Sequence, residues 1–260
     1  MARLHVKLIA GCCFAFLTLC TSCASKLPKH EWTTPEAALQ IMNENASRVR
    51  TLAADCVIQL DSTYEQTIIL DGVLYSQEPD QLRIAGWKFS DRVFDLLVTN
   101  GQSWFYAAAL MDGMPEGGDD MDQVGVDGFA AMWRYASGVV DQDRILAITD
   151  LEGDRFEITL DTESNGASNS INPGEGARVV YLVEKSTLTV REISFLVSKQ
   201  LMYRVSLGRY RVFGDIVWPT QLSGRGEQGS FDVQMNELEL NRPLPKTTFE
   251  PSPRMRMQSE

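Results

Sequence analysis

Apolar residues recur every three or four positions near the start of the chain, then every second position over most of the rest. Ala38, Met42, Ala46, Val49 and Leu52 carry the first spacing, which predicts a helix over about 35–52 with one face turned to a core. Thr34-Pro35-Glu36 is its start signal, with Thr as N-cap, Pro at the first helical position and Glu in the first turn. From Asp55 the period is two: Cys56, Ile58 and Leu60 alternate with Val57, Gln59 and Asp61. Further strands are expected at Thr67–Ser76, Gln81–Trp87, Val93–Thr99 and Ser103–Ala109. Glu78-Pro79-Asp80 and Asn100-Gly101 supply the turns. Phe156, Ile158 and Leu160 open a second run, followed by Val179–Glu184, Thr189–Ser198, Tyr203–Phe213 and Phe231–Leu240. Asp215-Ile216-Val217-Trp218-Pro219 reads as an edge-type strand, because Pro cannot donate to an interior ladder.

Two stretches break the alternation. Residues 111–125 hold Asp112, Glu116, Asp119, Asp120 and Asp122 among glycines and read as a solvated acidic loop. Residues 163–176 are polar apart from Ile171. Between them Phe129, Met132, Trp133 and Ala136 return to helical spacing, which predicts a short middle helix over 126–137. The chain is therefore α+β and mainly β: an antiparallel meander of about ten strands, enough to curl on itself, with two helices as cover. No repeat or linker divides it, so residues 34–252 are expected as one domain and 253–260 as a tail.

The first 22 residues do not fit this scheme. Arg3 and Lys7 precede an apolar run, Leu8 to Cys20, too short to span a bilayer, and small residues follow. That is the pattern of a secretory signal. Leu19-Cys20-Thr21-Ser22-Cys23 is similar to a bacterial lipobox, which would make Cys23 the lipidated N-terminus. Cys20 stands where Leu is usual. Ile9-Ala10-Gly11-Cys12 fits the local pattern but leaves almost no apolar core before it, and ordinary cleavage after Ala24 is the other alternative. The resemblance to bacterial lipoproteins implies a periplasm-facing outer-membrane anchor, because Ala24 is not the Asp that retains such chains at the inner membrane. Acyl chains of that kind hold firmly, since two lipid signals already suffice for stable anchoring. Residues 23–33 then form a tether, and Cys56 is the one free thiol left.

Composition narrows the chemistry. The formal net charge is −11, with 24 Lys and Arg against 35 Asp and Glu. Nucleic acid is not an expected partner, because phosphate binding needs clustered cations. His5 and His30 are the two histidines, and only His30 survives signal removal, inside the tether. A Ser–His–acid or Cys–His centre would need it to fold back onto the domain. Cys56 sits on an alternating strand as a small core residue. Gly224-Arg225-Gly226 lacks the rest of a dinucleotide fingerprint. Asp119-Asp120-Met121-Asp122 does not match a calcium loop. No catalytic residue, metal ligand or cofactor is assigned.

The apolar inventory carries more. Trp87, Phe94, Leu96, Val98, Trp104 and Tyr106 lie on the first strands. Phe129, Met132 and Trp133 lie on the middle helix, and Phe195, Met202, Tyr203 and Met235 on the later strands. Each taken singly fits a filled core. A curved sheet roofed by only two helices, however, leaves an apolar concavity, and these residues are the candidates to line it. Met suits such a lining because its side chain adapts its shape.

Three stretches resemble one family. They are Gly72-Val73-Leu74-Tyr75, Pro79-Asp80-Gln81-Leu82-Arg83, and the hairpin from Asp95 through Asn100-Gly101 to Tyr106. Pro219-Thr220-Gln221-Leu222 and Phe249-Glu250-Pro251 add to the likeness. They are similar to motifs of the LolA/LolB-like periplasmic lipoprotein carriers and acceptors. The resemblance implies an unclosed antiparallel barrel, covered on its open side by helices, whose cavity receives acyl chains. A lipobox places the chain nearer the anchored acceptor, with a periplasmic carrier protein as a partner. The carrier's lid-locking Arg and the acceptor's protruding Leu have no matching position here. Two readings follow: a non-enzymatic acyl-chain binder that moves lipid or lipoprotein to the outer membrane, or a structural or sensory lipoprotein that binds a protein partner through its sheet edge or acidic loop.

Overall fold

Thr34 caps the first helix, its side chain accepting from the Ala37 N–H at 3.3 Å. Helix α1 runs Pro35–Ser47 and buries Ala38, Leu39, Met42 and Ala46. It ends five residues before the expected limit of 52. Val49 and Leu52 are buried too, but strand β1 already begins at Thr51. The apolar spacing continues past the helix because both elements face the same core. Asn241 stitches the junction: its Oδ1 accepts from the Arg50 N–H at 2.8 Å and its Nδ2 donates to the Arg48 carbonyl at 2.7 Å.

The structure is a computed structural model describing residues 26–62, 67–108, 133, 135–136, 138–162, 177–226 and 229–257. The expected leader with Cys23, the acidic stretch 111–125, Phe129 and Met132 of the middle helix, and the 163–176 loop lie outside the described residues.

After β1 (Thr51–Ser62) come β2 (Thr67–Gln77), β3 (Gln81–Lys88), β4 (Asp91–Thr99) and β5 (Gln102–Ala107). Then follow β6 (Ile145–Leu151), β7 (Arg155–Asp161), β8 (Arg178–Glu184), β9 (Thr189–Val197) and β10 (Gln200–Gly208). The last are β11 (Arg211–Phe213), β12 (Ile216–Trp218), β13 (Gln221–Gly226), β14 (Gly229–Leu240) and β15 (Arg256–Met257). The main sheet has 13 strands in the order β15-β5-β4-β3-β2-β1-β14-β13-β10-β9-β8-β7-β6, with β11-β12 as a separate pair. Its pairings are antiparallel, and β15 and β6 do not meet, so the sheet is not closed into a barrel.

This is more sheet than the expected ten strands. β6, β13 and β15 were not anticipated, and β13 shows why. Its sequence QLSGRG holds one large apolar residue, and its glycines lie under rings. A Cβ at Gly224 would come within 2.1 Å of Phe231, and one at Gly226 within 2.9 Å of Tyr203. The strand needs what alternation cannot show. The expected strand Tyr203–Phe213 is in fact two. Arg209 takes a positive φ of 49°, so the chain leaves the main ladder after β10, and β11 pairs with β12 instead.

Curvature follows from two neighbouring residues of the middle segment. Trp133 Nε1 donates to Ser76 Oγ on β2 at 3.2 Å. The Tyr181 hydroxyl on β8 donates to the Tyr135 carbonyl at 3.3 Å. In a flat sheet β2 and β8 would stand about 29 Å apart; residues two apart in sequence cannot touch both unless the sheet bends round them. Trp133, Tyr135 and Ala136 are helical, and Gly138 with φ 80° ends that segment.

Helix α1 lies across the concave face, held by two asparagines that each take both polar groups of one peptide residue. Asn43 pairs with Val140 at 2.9 and 2.8 Å. Asn45 pairs with Val217 at 2.9 and 2.8 Å. Asn45→Ala leaves the Val217 N–H and carbonyl without these partners. The expected loss is about 2 kcal/mol of stability, read from a urea titration; a loss under half that would show water replacing the clamp.

The opposite, outer face carries its own apolar layer. Leu97, Phe249 and Met255 are buried there, with Tyr75, Trp104, Tyr106 and Leu244 packed against them. Beside them Asp95 is fully buried between Arg83, at 2.9 and 2.7 Å, and Arg92 at 2.6 Å. Arg83 also donates to the Thr248 carbonyl at 2.9 Å, so this cluster pins the C-terminal segment to the sheet. Sheet pairing of Arg256 with Phe105 and Met257 with Trp104 then covers the β5 edge.

Candidate ligand-binding cavity

A cavity of about 490 Å³ opens between α1, the middle segment and the concave face. Val49 and Leu52 line it below the helix, Leu82 and Val98 on one wall, and Leu160 on the other, with Trp133 and Tyr135 across the top. Its size lies within the usual range for small-molecule sites, about 300–1,000 Å³. The rim is polar. Glu78, Pro79, Asp80 and Asp141 are exposed there, and Arg144 is half-buried. Arg144 Nε is held by the Asp161 carbonyl at 2.7 Å, which keeps this guanidinium at the edge of the opening.

Strand register decides which expected lining residues face the hollow. Leu82 pairs with Val98, Ile84 with Leu96 and Gly86 with Phe94. Leu96 is buried in the main core, and Phe94, Val98 and Phe195 pack against it. Met235 is buried in the same core, opposite Cys56. Val98 and Trp133 line the cavity itself. Tyr203 pairs with Phe195 and lies over Gly226, away from the opening. Met202 falls at a register shift between Leu201 and Tyr203 and is half-buried.

Three expectations are corrected. Trp104 pairs with Leu97 and Tyr106 with Asp95, so both rings lie on the outer face under the C-terminal segment. The β5 residue that packs against the main core is Phe105. Trp87 pairs with Asp71, one place out of phase with inward Gly72, and stacks under Arg92 at 5.3 Å. Side chains on a strand alternate between faces, and here the richer aromatic row faces outward. The sequence reading also missed Leu82, Leu160, Tyr135 and Trp218 as lining. Leu82 and Leu160 were visible as alternating apolar positions; Trp218 was hidden by its place in a short strand before Pro219.

The segment expected as a free tether touches the sheet. The His30 N–H donates to the Ser186 carbonyl at 2.8 Å. The Trp32 ring lies 4.7 Å from that of Phe156 and 5.4 Å from Lys185 Nζ. At the β3–β4 turn Phe89 is 93% exposed with a φ of 59°. Cys56 is buried, and burial pushes its thiol up to about 12, which keeps it protonated and unreactive at neutral pH. Among the described residues, no three or more of His, Cys, Asp and Glu gather where a metal could sit.

No protein-family model matches this chain, and no curated protein matches it in sequence. Solved structures do match in fold. A protein domain from Vibrio parahaemolyticus named for outer membrane lipoprotein sorting superimposes with a TM-score of 0.52 at 15% identity, over 83% of this chain and 97% of that one. A LolA superfamily protein from Nitrosomonas europaea gives 0.55 at 14%, over 82% and 97%. A DUF1329 family protein from Desulfovibrio piger gives 0.56 at 14%, over 84% and 98%. With its open antiparallel sheet curled round one helix and a hollow, the chain has the LolA-like fold.

Proposed function

We propose that this chain is a non-enzymatic binder of acyl chains, anchored by lipid at Cys23 to the outer membrane and acting in lipid or lipoprotein transfer. The observation that carries the reading is the 490 Å³ cavity with apolar walls and a polar rim. Each methylene buried there contributes about 0.8 kcal/mol, so even part of a chain binds usefully. Transfer of this kind needs no bond to break. It needs a hollow whose affinity lies between donor and membrane, and a cover that moves. The Trp133–Ser76 hydrogen bond closes the cover on one wall and the Tyr135–Tyr181 bond on the other. Gly138, with its positive φ, is the hinge beside them. The membrane and a periplasmic carrier are the partners this reading requires.

Native mass spectrometry of the unlipidated chain tests it. The expected spectrum carries a co-purified lipid mass that disappears after extraction and returns on adding fatty acyl lipid. A spectrum of bare protein that stays bare with added lipid overturns the reading.

One observation favours the second reading, a scaffold for a protein partner. β6 ends the main sheet, and Leu146 on it is 52% exposed. A partner strand could extend the ladder there.

A further inference from the structure

Two spaces lie under helix α1. Besides the large cavity, a smaller one of about 70 Å³ sits between the helix and the β8–β9 turn. Ile41 and Met42 border it on the helix side, Leu188 and Val190 on the sheet side, and His30 at its far end. Several of its polar groups are already engaged. Thr187 and Thr189 share a hydrogen bond at 2.8 Å, the Tyr210 hydroxyl donates to the Val190 carbonyl, and Asn45 is taken up by Val217. The rest of the lining is mainly apolar, with the His30 and Trp218 side chains beside it.

Among the described residues, only Ala46 and Trp218 border both spaces. Their shared described wall is one methyl group and one indole. The Trp218 side chain is held unusually. The residue is 4% exposed, yet its Nε1–H has no hydrogen-bond partner among the described residues. Buried polar groups without partners are rare and costly, so packing alone fixes this ring. Its backbone, by contrast, is anchored next door through the Asn45 clamp on Val217.

We propose that Trp218 sets the length of acyl chain the hollow accepts, an inference that rests on the acyl-chain reading above. With the indole in place, a guest's methyl end stops against it. Beyond the indole the path continues under α1 toward His30.

The test uses straight-chain fatty alcohols of increasing length, uncharged because the rim is acidic, titrated by calorimetry into the unlipidated full chain. Wild-type affinity is expected to rise about fourfold per added methylene, the equivalent of 0.8 kcal/mol, and then level off at a definite length. Trp218→Ala removes the wall and moves that break to longer alcohols. Ala46→Leu thickens the same wall and moves the break to shorter ones, so the inference stays testable if Trp218→Ala does not fold. Alcohols that bind with the same break in wild type and variants overturn the role of Trp218 and leave the acyl reading standing. Alcohols that do not bind wild type at any length overturn both.

Discussion

Asp95→Ala is expected to lose about 3–5 kcal/mol of stability, the usual cost of breaking a buried ion pair from one side. The carboxylate is fully buried, and both of its partners are arginines that cannot shed their charge. Removing it leaves the Arg83 guanidinium, with only 13% of its side chain exposed, without its counter-ion. The effect spreads because Arg83 also holds the Thr248 carbonyl, which fixes the segment that covers Leu97, Trp104 and Tyr106. Urea titration followed by circular dichroism measures the loss. Arg92→Ala serves as a comparison: its side chain is 34% exposed, so water can take over part of its role and the cost is smaller. A loss below about 1 kcal/mol for Asp95→Ala, the range of an exposed pair, would show that the cluster does not hold the C-terminal segment.

Val98→Trp is expected to weaken acyl-chain binding more than tenfold while the fold persists. Val98 is half-buried and lines the cavity, so an indole there projects into open space. Excluding two methylenes of guest already costs about 1.6 kcal/mol, or some fifteenfold. Trp104→Ala is the matched control. That ring pairs with Leu97 on the outer face, and its removal leaves binding within about twofold despite its cost in stability. Both are read by fluorescence displacement of an acyl probe. Equal losses in the two variants would mean that binding does not occur in the hollow, and an unchanged Val98→Trp would place the guest elsewhere.

These two variants also show how far the sequence could be read. Alternation at Leu82, Ile84, Leu96 and Val98 marks strands and pairs their apolar positions, and the register agrees. On β5 the same logic misleads. Trp104 and Tyr106 are heavier than Ser103 and Phe105, so the aromatic parity looks like the core parity. The outer face can hold those rings only because residues 244–255, distant in sequence, lie over them. The helix end misled in a similar way, since Val49 and Leu52 keep helical spacing while belonging to a turn and a strand. Of the lining expected on described residues, Val98 and Trp133 border the cavity, and Leu96 and Met235 are buried within the core around it.

The sequence by itself determined the main periods: most of the strands, where α1 starts, and that the apolar rows are too many for two helices to cover. Those are local properties, set by a residue and its near neighbours. Which face of each strand looks inward, where the open edges fall and where the hollow remains were decided by tertiary structure alone. They depend on the bend that lets Trp133 reach β2 while Tyr135 meets β8, and on a C-terminal segment that returns to cover the other side. No short window of residues encodes either contact, because each joins parts of the chain that meet only after the sheet has curled.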